Sequence, residues 1–130
     1  MIVVDASALL EVLLNTPAGT LIAPRLFAED ETLHAPHLLD VEVAQVLRRY
    51  ALAGDLDPDR GLQALKDLAG FPLTRYPHDL FLPRIWELRR NVTAYDAVYI
   101  ALAEALAAPL VTRDARLASA ARRFAQIELV

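Results

Sequence analysis

Four carboxylates stand where a chain of this type can gather them: Asp5, Glu42, Asp96 and Asp114. Carboxylates held close together repel one another, raise each other's pKa and are stabilised by a cation. An all-oxygen donor set suits Mg²⁺ or Mn²⁺. Such ions lower the pKa of water and clamp an in-line phosphoryl displacement. The chemistry these residues point to is phosphodiester hydrolysis.

Each acid also has a plainer explanation. Asp5 precedes Ala6-Ser7-Ala8 at a strand-to-helix junction, where an Asp cap is favoured. Its sharper reading is a metal ligand, with the Ser7 hydroxyl supporting the carboxylate. Glu42 falls in the first turn expected of a helix from about Asp40 to Ala53, where the helix dipole favours a negative charge. Asp40 is its rival; two residues apart they face apart, so Asp40 fits the cap and Glu42 the ligand. Thr93-Ala-Tyr-Asp96 reads as a capping box. Asp114, after Val111-Thr112-Arg113, suits the cap of a last helix. Singly, all four are explicable as helix-start residues. The joint pattern is harder to explain that way.

The elements that must position them alternate between strand and helix signals. Ile2-Val3-Val4 and Leu110-Val111-Thr112 read as short buried strands. Weaker strand signals cover Thr32 to Ala35, Leu73 to Tyr76 and Ile127 to Val130. Helices are expected at Ala6 to Leu14, from Pro17 (capped by Thr16) to about Ala28, from Asp57-Pro58 through Leu62, Leu65 and Leu68, and at Asp79 to Arg90, Tyr95 to Ala107 and Arg116 to Phe124. This alternation implies a three-layer α/β/α sandwich with a mostly parallel sheet of four or five strands. The whole chain, 1–130, reads as one domain. Ligands of such sheets bind beyond the carboxyl ends of the strands, near a topological switch point. Asp5 and Asp114 both lie there. If their strands are neighbours, residues more than a hundred positions apart meet at one edge.

Composition bounds the rest. The chain is 55% hydrophobic and 23% charged, as expected of a globular protein. It has no cysteine, which excludes disulfides and thiolate metal sites. No basic leader opens it and no apolar run approaches the ~20 residues of a membrane span, so a cytoplasmic location is expected. A net charge of −4 looks wrong for a nucleic-acid binder, yet the 17 acids less these four leave 13, matching the 13 bases. All but Lys66 of those bases are arginine, suited to bidentate phosphate contact. His34 and His37 are three apart but share a proline-broken loop with no helix to align them, and His78 is distant, so the histidines make a poorer metal site than the acids; the four scattered glycines form no phosphate-cradling loop. Tyr99 and Trp86 read as core residues and not as a base-stacking platform.

Taken in order, Ile-Val-Val-Asp5-Ala-Ser7-Ala-Leu, Glu42 followed by Val-Leu-Arg-Arg, Thr93-Ala-Tyr-Asp96-Ala-Val-Tyr-Ile-Ala-Leu-Ala and Leu-Val-Thr112-Arg-Asp114 make the sequence resemble the PIN-domain ribonucleases. The resemblance is strongest to the VapC-type toxins of bacterial toxin–antitoxin pairs, and it spans nearly the whole chain. It implies Mg²⁺- or Mn²⁺-dependent endonuclease cleavage of RNA. It implies carboxylate ligands at Asp5, Glu42, Asp96 and Asp114, with polar support from Ser7, Thr112 and Thr93. A homodimer and a cognate antitoxin that covers the active site are implied as well. Arg48, Arg89, Arg90 and Arg113 are candidates for phosphate contact, against surface ion pairing. The alternatives are a PIN-fold nuclease with another RNA or DNA role and a non-catalytic module of the same fold. An aspartyl-phosphate phosphatase would want a second Asp where Ser7 stands. A receiver domain would want a lysine near a late strand, and Lys66 is mid-chain.

Overall fold

The computed structural model describes all residues, 1–130. Five strands form its sheet: β1 (Ile2–Val4), β2 (Leu33–Pro36), β3 (Leu73–Tyr76), β4 (Leu110–Thr112) and β5 (Ile127–Leu129). Their spatial order is β3-β2-β1-β4-β5, and every pairing is parallel. The expected neighbours do meet, with Val3 opposite Leu110 and Val4 opposite Val111. The chain runs outward from β1 to β3 in one direction. It then returns to the other side of β1 and runs outward again through β4 and β5. The switch point is thus between β1 and β4, the strands that end at Asp5 and Asp114.

Seven helices connect these strands: α1 (Ala6–Leu13), α2 (Pro17–Leu26), α3 (Leu38–Leu52), α4 (Pro58–Ala69), α5 (Leu82–Glu87), α6 (Ala94–Leu106) and α7 (Ala115–Ala121). Right-handed crossovers running in opposite directions along a sheet place their helices on opposite faces. Accordingly α1 packs with α2, α3 and α4, while α6 packs with α5 and lies against β1, β2 and β4. Ile2, Val3, Val4, Leu110 and Val111 are fully buried between the layers. That explains why β1 and β4 read as continuous apolar runs without alternation. No single helix is long and apolar enough to cross a membrane.

Two of the expected helices differ most from expectation, each for a local reason. Helix α3 begins at Leu38, two residues early, because His78 Nε2 accepts from the Leu38 amide at 2.8 Å and takes the capping role. Asp40 therefore does not cap; it pairs with Arg75 of β3 at 2.8 Å. Glu42 consequently lies in the second turn of α3. The Asp79–Arg90 segment splits into a 3₁₀ turn, Asp79–Phe81, and the short α5, since Pro83 offers no amide and suits only a first turn. Trp86 is not core: it is 68% exposed, with the Arg89 guanidinium 4.7 Å from its ring centre. Tyr99 is fully buried, as expected.

One close approach sets the angle between α1 and α2. A Cβ on Gly19 would stand 2.1 Å from the Glu11 carbonyl oxygen. Only glycine lets the two backbones meet there. Thr16 caps α2 by accepting from the Gly19 amide at 3.0 Å, so cap and contact occupy the same turn.

Candidate active site

Asp5 stands at the cap position of α1 but its side chain makes no capping bond. It is 7% exposed. Its Oδ2 accepts from the Ser7 hydroxyl at 2.6 Å and from the Thr112 hydroxyl at 2.8 Å. The two hydroxyl oxygens are themselves 3.2 Å apart. Each has one proton, and both protons are spent on Asp5. The lone pairs of these hydroxyls are filled by the chain leaving β4: the Arg113 amide donates to Ser7 Oγ and the Asp114 amide to Thr112 Oγ1, each at 3.0 Å. The β1 and β4 ends are thereby stitched together around one carboxylate oxygen, leaving Oδ1 outside this network.

Asp114 does cap its helix, through Oδ1 alone, which accepts from the Arg116 and Leu117 amides at 2.9 and 3.1 Å. Its Oδ2 faces the Arg116 guanidinium at 3.7 Å. At α6, Thr93 is the cap, accepting from the Asp96 amide at 3.2 Å. The Asp96 side chain does not return the bond to the Thr93 amide that would complete a capping box. Instead it lies 3.4 Å from the Arg116 guanidinium. Glu42 Oε1 accepts from the buried Tyr99 hydroxyl at 2.5 Å.

These residues line one cleft of about 390 Å³. Its walls carry Asp5, Glu42, Asp96 and Asp114 with Ser7, Thr93 and Arg116. Four acids from four separate chain segments thus share one hollow at the switch point. Burial raises the pKa of Asp5, against the hydrogen bonds from Ser7 and Thr112, and Asp114 adds repulsion. Burial likewise lifts Glu42 to about 7, opposed by the Tyr99 hydrogen bond and reinforced by Asp5 and Asp96. Asp96 is raised by burial too, despite Arg116. Tyr99, sealed in the core beside Glu42 and Asp5, is held well above its ordinary range and stays a neutral donor.

The donor set fits a hard divalent ion. All donors are oxygens, three of the acids hold protons more tightly than usual, and a guanidinium already stands between Asp96 and Asp114. As the side chains stand, no three His, Asp or Glu groups converge closely enough to hold an ion together. Asp5, Asp114 and Glu42 are each drawn toward their own donors.

Two participants escape a reading of spacing alone. Arg116 lies two residues beyond Asp114, in the first turn of α7. Tyr99 lies three residues beyond Asp96 and so shares its face of α6; that register is the signal that could have placed its hydroxyl at the cleft. The four arginines expected to contact phosphate do not line it. Arg113 is 3.7 Å from Glu11, Arg89 bonds the Trp86 carbonyl at 2.9 Å, Arg48 borders a hollow between α3 and α4, and Arg90 is exposed.

The PIN domain family model matches residues 2–123. The chain belongs to the PIN-domain family. Ribonuclease VapC9 of Mycobacterium tuberculosis is 47% identical over 131 residues, covering 100% of this chain and 98% of that protein. Ribonuclease VapC12 of the same organism is 42% identical over 130 residues, covering 100% and 99%. The crystal structure of PAE2754 from Pyrobaculum aerophilum superposes with a TM-score of 0.69 at 29% identity, covering 96% of this chain and 81% of that one. The expected α/β/α architecture and the VapC-like resemblance both stand, and the sheet is fully parallel.

Proposed function

We propose that this PIN-domain protein is a divalent-metal-dependent endoribonuclease and the toxin of a type II toxin–antitoxin pair. The observation that carries the reading is the convergence of Asp5, Glu42, Asp96 and Asp114 on one cleft at the β1–β4 switch point. Full-length relatives named ribonucleases support it.

In this reading Asp5, Asp96, Asp114 and Glu42 are the residues that would hold Mg²⁺ or Mn²⁺. The ion supplies positive charge to the phosphodiester and acidifies the attacking water. The residues of the chain do the rest. Ser7 and Thr112 fix the Asp5 carboxylate so that one oxygen stays presented to the cleft. Thr93 satisfies the α6 terminus and frees Asp96 for binding. Glu42, held near neutrality, can take up and release a proton in the working pH range, with Tyr99 fixing its orientation. Arg116, the one guanidinium that lines the cleft, would stand nearest to an RNA phosphate bound there. A non-catalytic module gains nothing from burying these charges, which cost stability without a cation.

The partners in this reading are RNA, a cognate antitoxin and a second copy of the chain, in the cytoplasm. The test is cleavage of RNA by purified protein with Mg²⁺ or Mn²⁺. Asp5→Asn and Asp96→Asn should abolish cutting while the melting temperature does not fall. Full activity in Asp5→Asn would sink the assignment. Expression alone should arrest growth, and co-expression of the neighbouring small gene product should relieve it.

A further inference from the structure

Beside the carboxylate cleft lies a second hollow, of about 360 Å³, bordered by Leu38, Val41, Gln45, Arg49 and Tyr95. Glu42, Val46 and Tyr95 line both hollows, so the two are one continuous depression. Val41, Gln45 and Arg49 recur every four residues and form a single stripe along α3. Opposite the stripe, at the start of α6, Tyr95 is 66% exposed and adjoins Asp96. Arg113 and Arg116 have carboxylate partners; Arg49 has none.

We infer that this hollow is a nucleotide subsite, holding the base of the residue that flanks the scissile phosphate. The inference rests on the ribonuclease reading and deepens it. An exposed aromatic ring at the mouth of a phosphodiester site is a stacking platform for a base of any identity. Val41 supplies the apolar wall on the far side. The Gln45 amide carries both donors and an acceptor and can read the edge of a base. Arg49 gives its free guanidinium to the next phosphate. Charge complementarity orients the strand: its scissile phosphate goes to the cleft, where Arg116 stands and a cation would be held, and its neighbouring phosphate to Arg49. A hollow of this volume is large enough for a base.

The test uses the full-length protein and a random-sequence RNA pool, with product ends sequenced and KM and kcat measured separately. Tyr95→Ala should raise KM about 5- to 100-fold, the range expected for loss of one stacked base. It should leave kcat and the melting temperature unchanged, and Tyr95→Phe should behave as wild type. Gln45→Ala should flatten base preference at one position beside the cut and at no other. Arg49→Ala should weaken binding evenly across sequences and reduce the salt slope by about one. Wild-type KM and cut pattern in both Tyr95→Ala and Gln45→Ala would overturn the subsite. So would loss of affinity for a purified protein antitoxin with no change in cutting, which would give the hollow to that partner. The same variants are also made in the Asp5→Asn chain and titrated with a fluorescent oligoribonucleotide. If wild type cuts no RNA, the ribonuclease reading falls, and this titration still decides the subsite. Weaker binding on Tyr95→Ala supports it, and equal binding refutes it.

Discussion

Replacing Glu42 with Gln should stabilise the metal-free protein, and the gain should vanish at low pH. The carboxylate is drawn out of water in a cleft it shares with Asp5 and Asp96, which lifts its pKa from 4.5 to about 7. An acid whose folded pKa is raised binds its proton more tightly in the folded state. Its contribution to stability is therefore lost as pH rises from 4.5 toward 7, and the penalty is complete above 7. Carried over whole, that difference corresponds to about 3 kcal/mol. Glu42 keeps part of its hydration at the cleft mouth, and screening reduces the figure to about 1–2 kcal/mol. Gln keeps an acceptor for the Tyr99 hydroxyl, so the substitution removes the charge and little else. For a chain of this size, Glu42→Gln should melt roughly 3–8 °C above wild type at pH 8 in EDTA. At pH 4.5 the two should coincide. Saturating Mn²⁺ should reverse the order, since an ion at 100 times its Kd adds about 2.7 kcal/mol to the protein that binds it. Differential scanning fluorimetry over a pH series reads all three. A Glu42→Gln protein that melts below wild type at pH 8 without metal would refute the reasoning, as would an advantage that ignores pH.

Two further outcomes follow from single contacts. Thr112→Val removes the donor to Asp5 and the acceptor of the Asp114 amide. It should cost about 1–3 kcal/mol in urea denaturation and lower RNA cleavage at least tenfold, whereas Thr112→Ser should retain both. Gly19→Ala forces α1 and α2 apart where no Cβ fits. It should destabilise by about 1–3 kcal/mol and leave metal affinity unchanged.

The sheet was legible because its decisive strands are fully buried. Ile2-Val3-Val4 and Leu110-Val111-Thr112 admit little but strand, and their adjacency follows once Asp5 and Asp114 are required to meet. The limits of α3 were less legible, because its cap is His78, forty residues away, and no local signal announces it. Asp40 was misread for the same reason: its partner is Arg75 on a neighbouring strand. Trp86 was misplaced because α5 is short and cut off by Pro83, so an apolar residue there has no core to face. Arg116 went unread because an arginine in the first turn opposes the helix dipole. Only the carboxylates of Asp96, from α6, and of Asp114, the cap of its own helix, explain it.

The cap and ligand readings of the four acids turn out not to be rivals. Helices α1, α6 and α7 all point their N-termini at the cleft, and those partial positive charges favour carboxylates there by about 0.3–1 kcal/mol each. Yet Asp5 and Asp96 are raised, not lowered. Desolvation therefore outweighs the dipoles, and the helix ends alone cannot satisfy these groups. The capping work is done elsewhere: by Thr93 for α6, and by a single oxygen of Asp114 for α7. Asp5, at the most buried of the three junctions, caps nothing. A sequence under selection for stability alone would place Asn or Ser at position 5, which would cap α1 without a buried charge. The carboxyl group that stands there instead, fixed by two hydroxyls and short of a counter-ion, is the donor that the proposed metal site calls for.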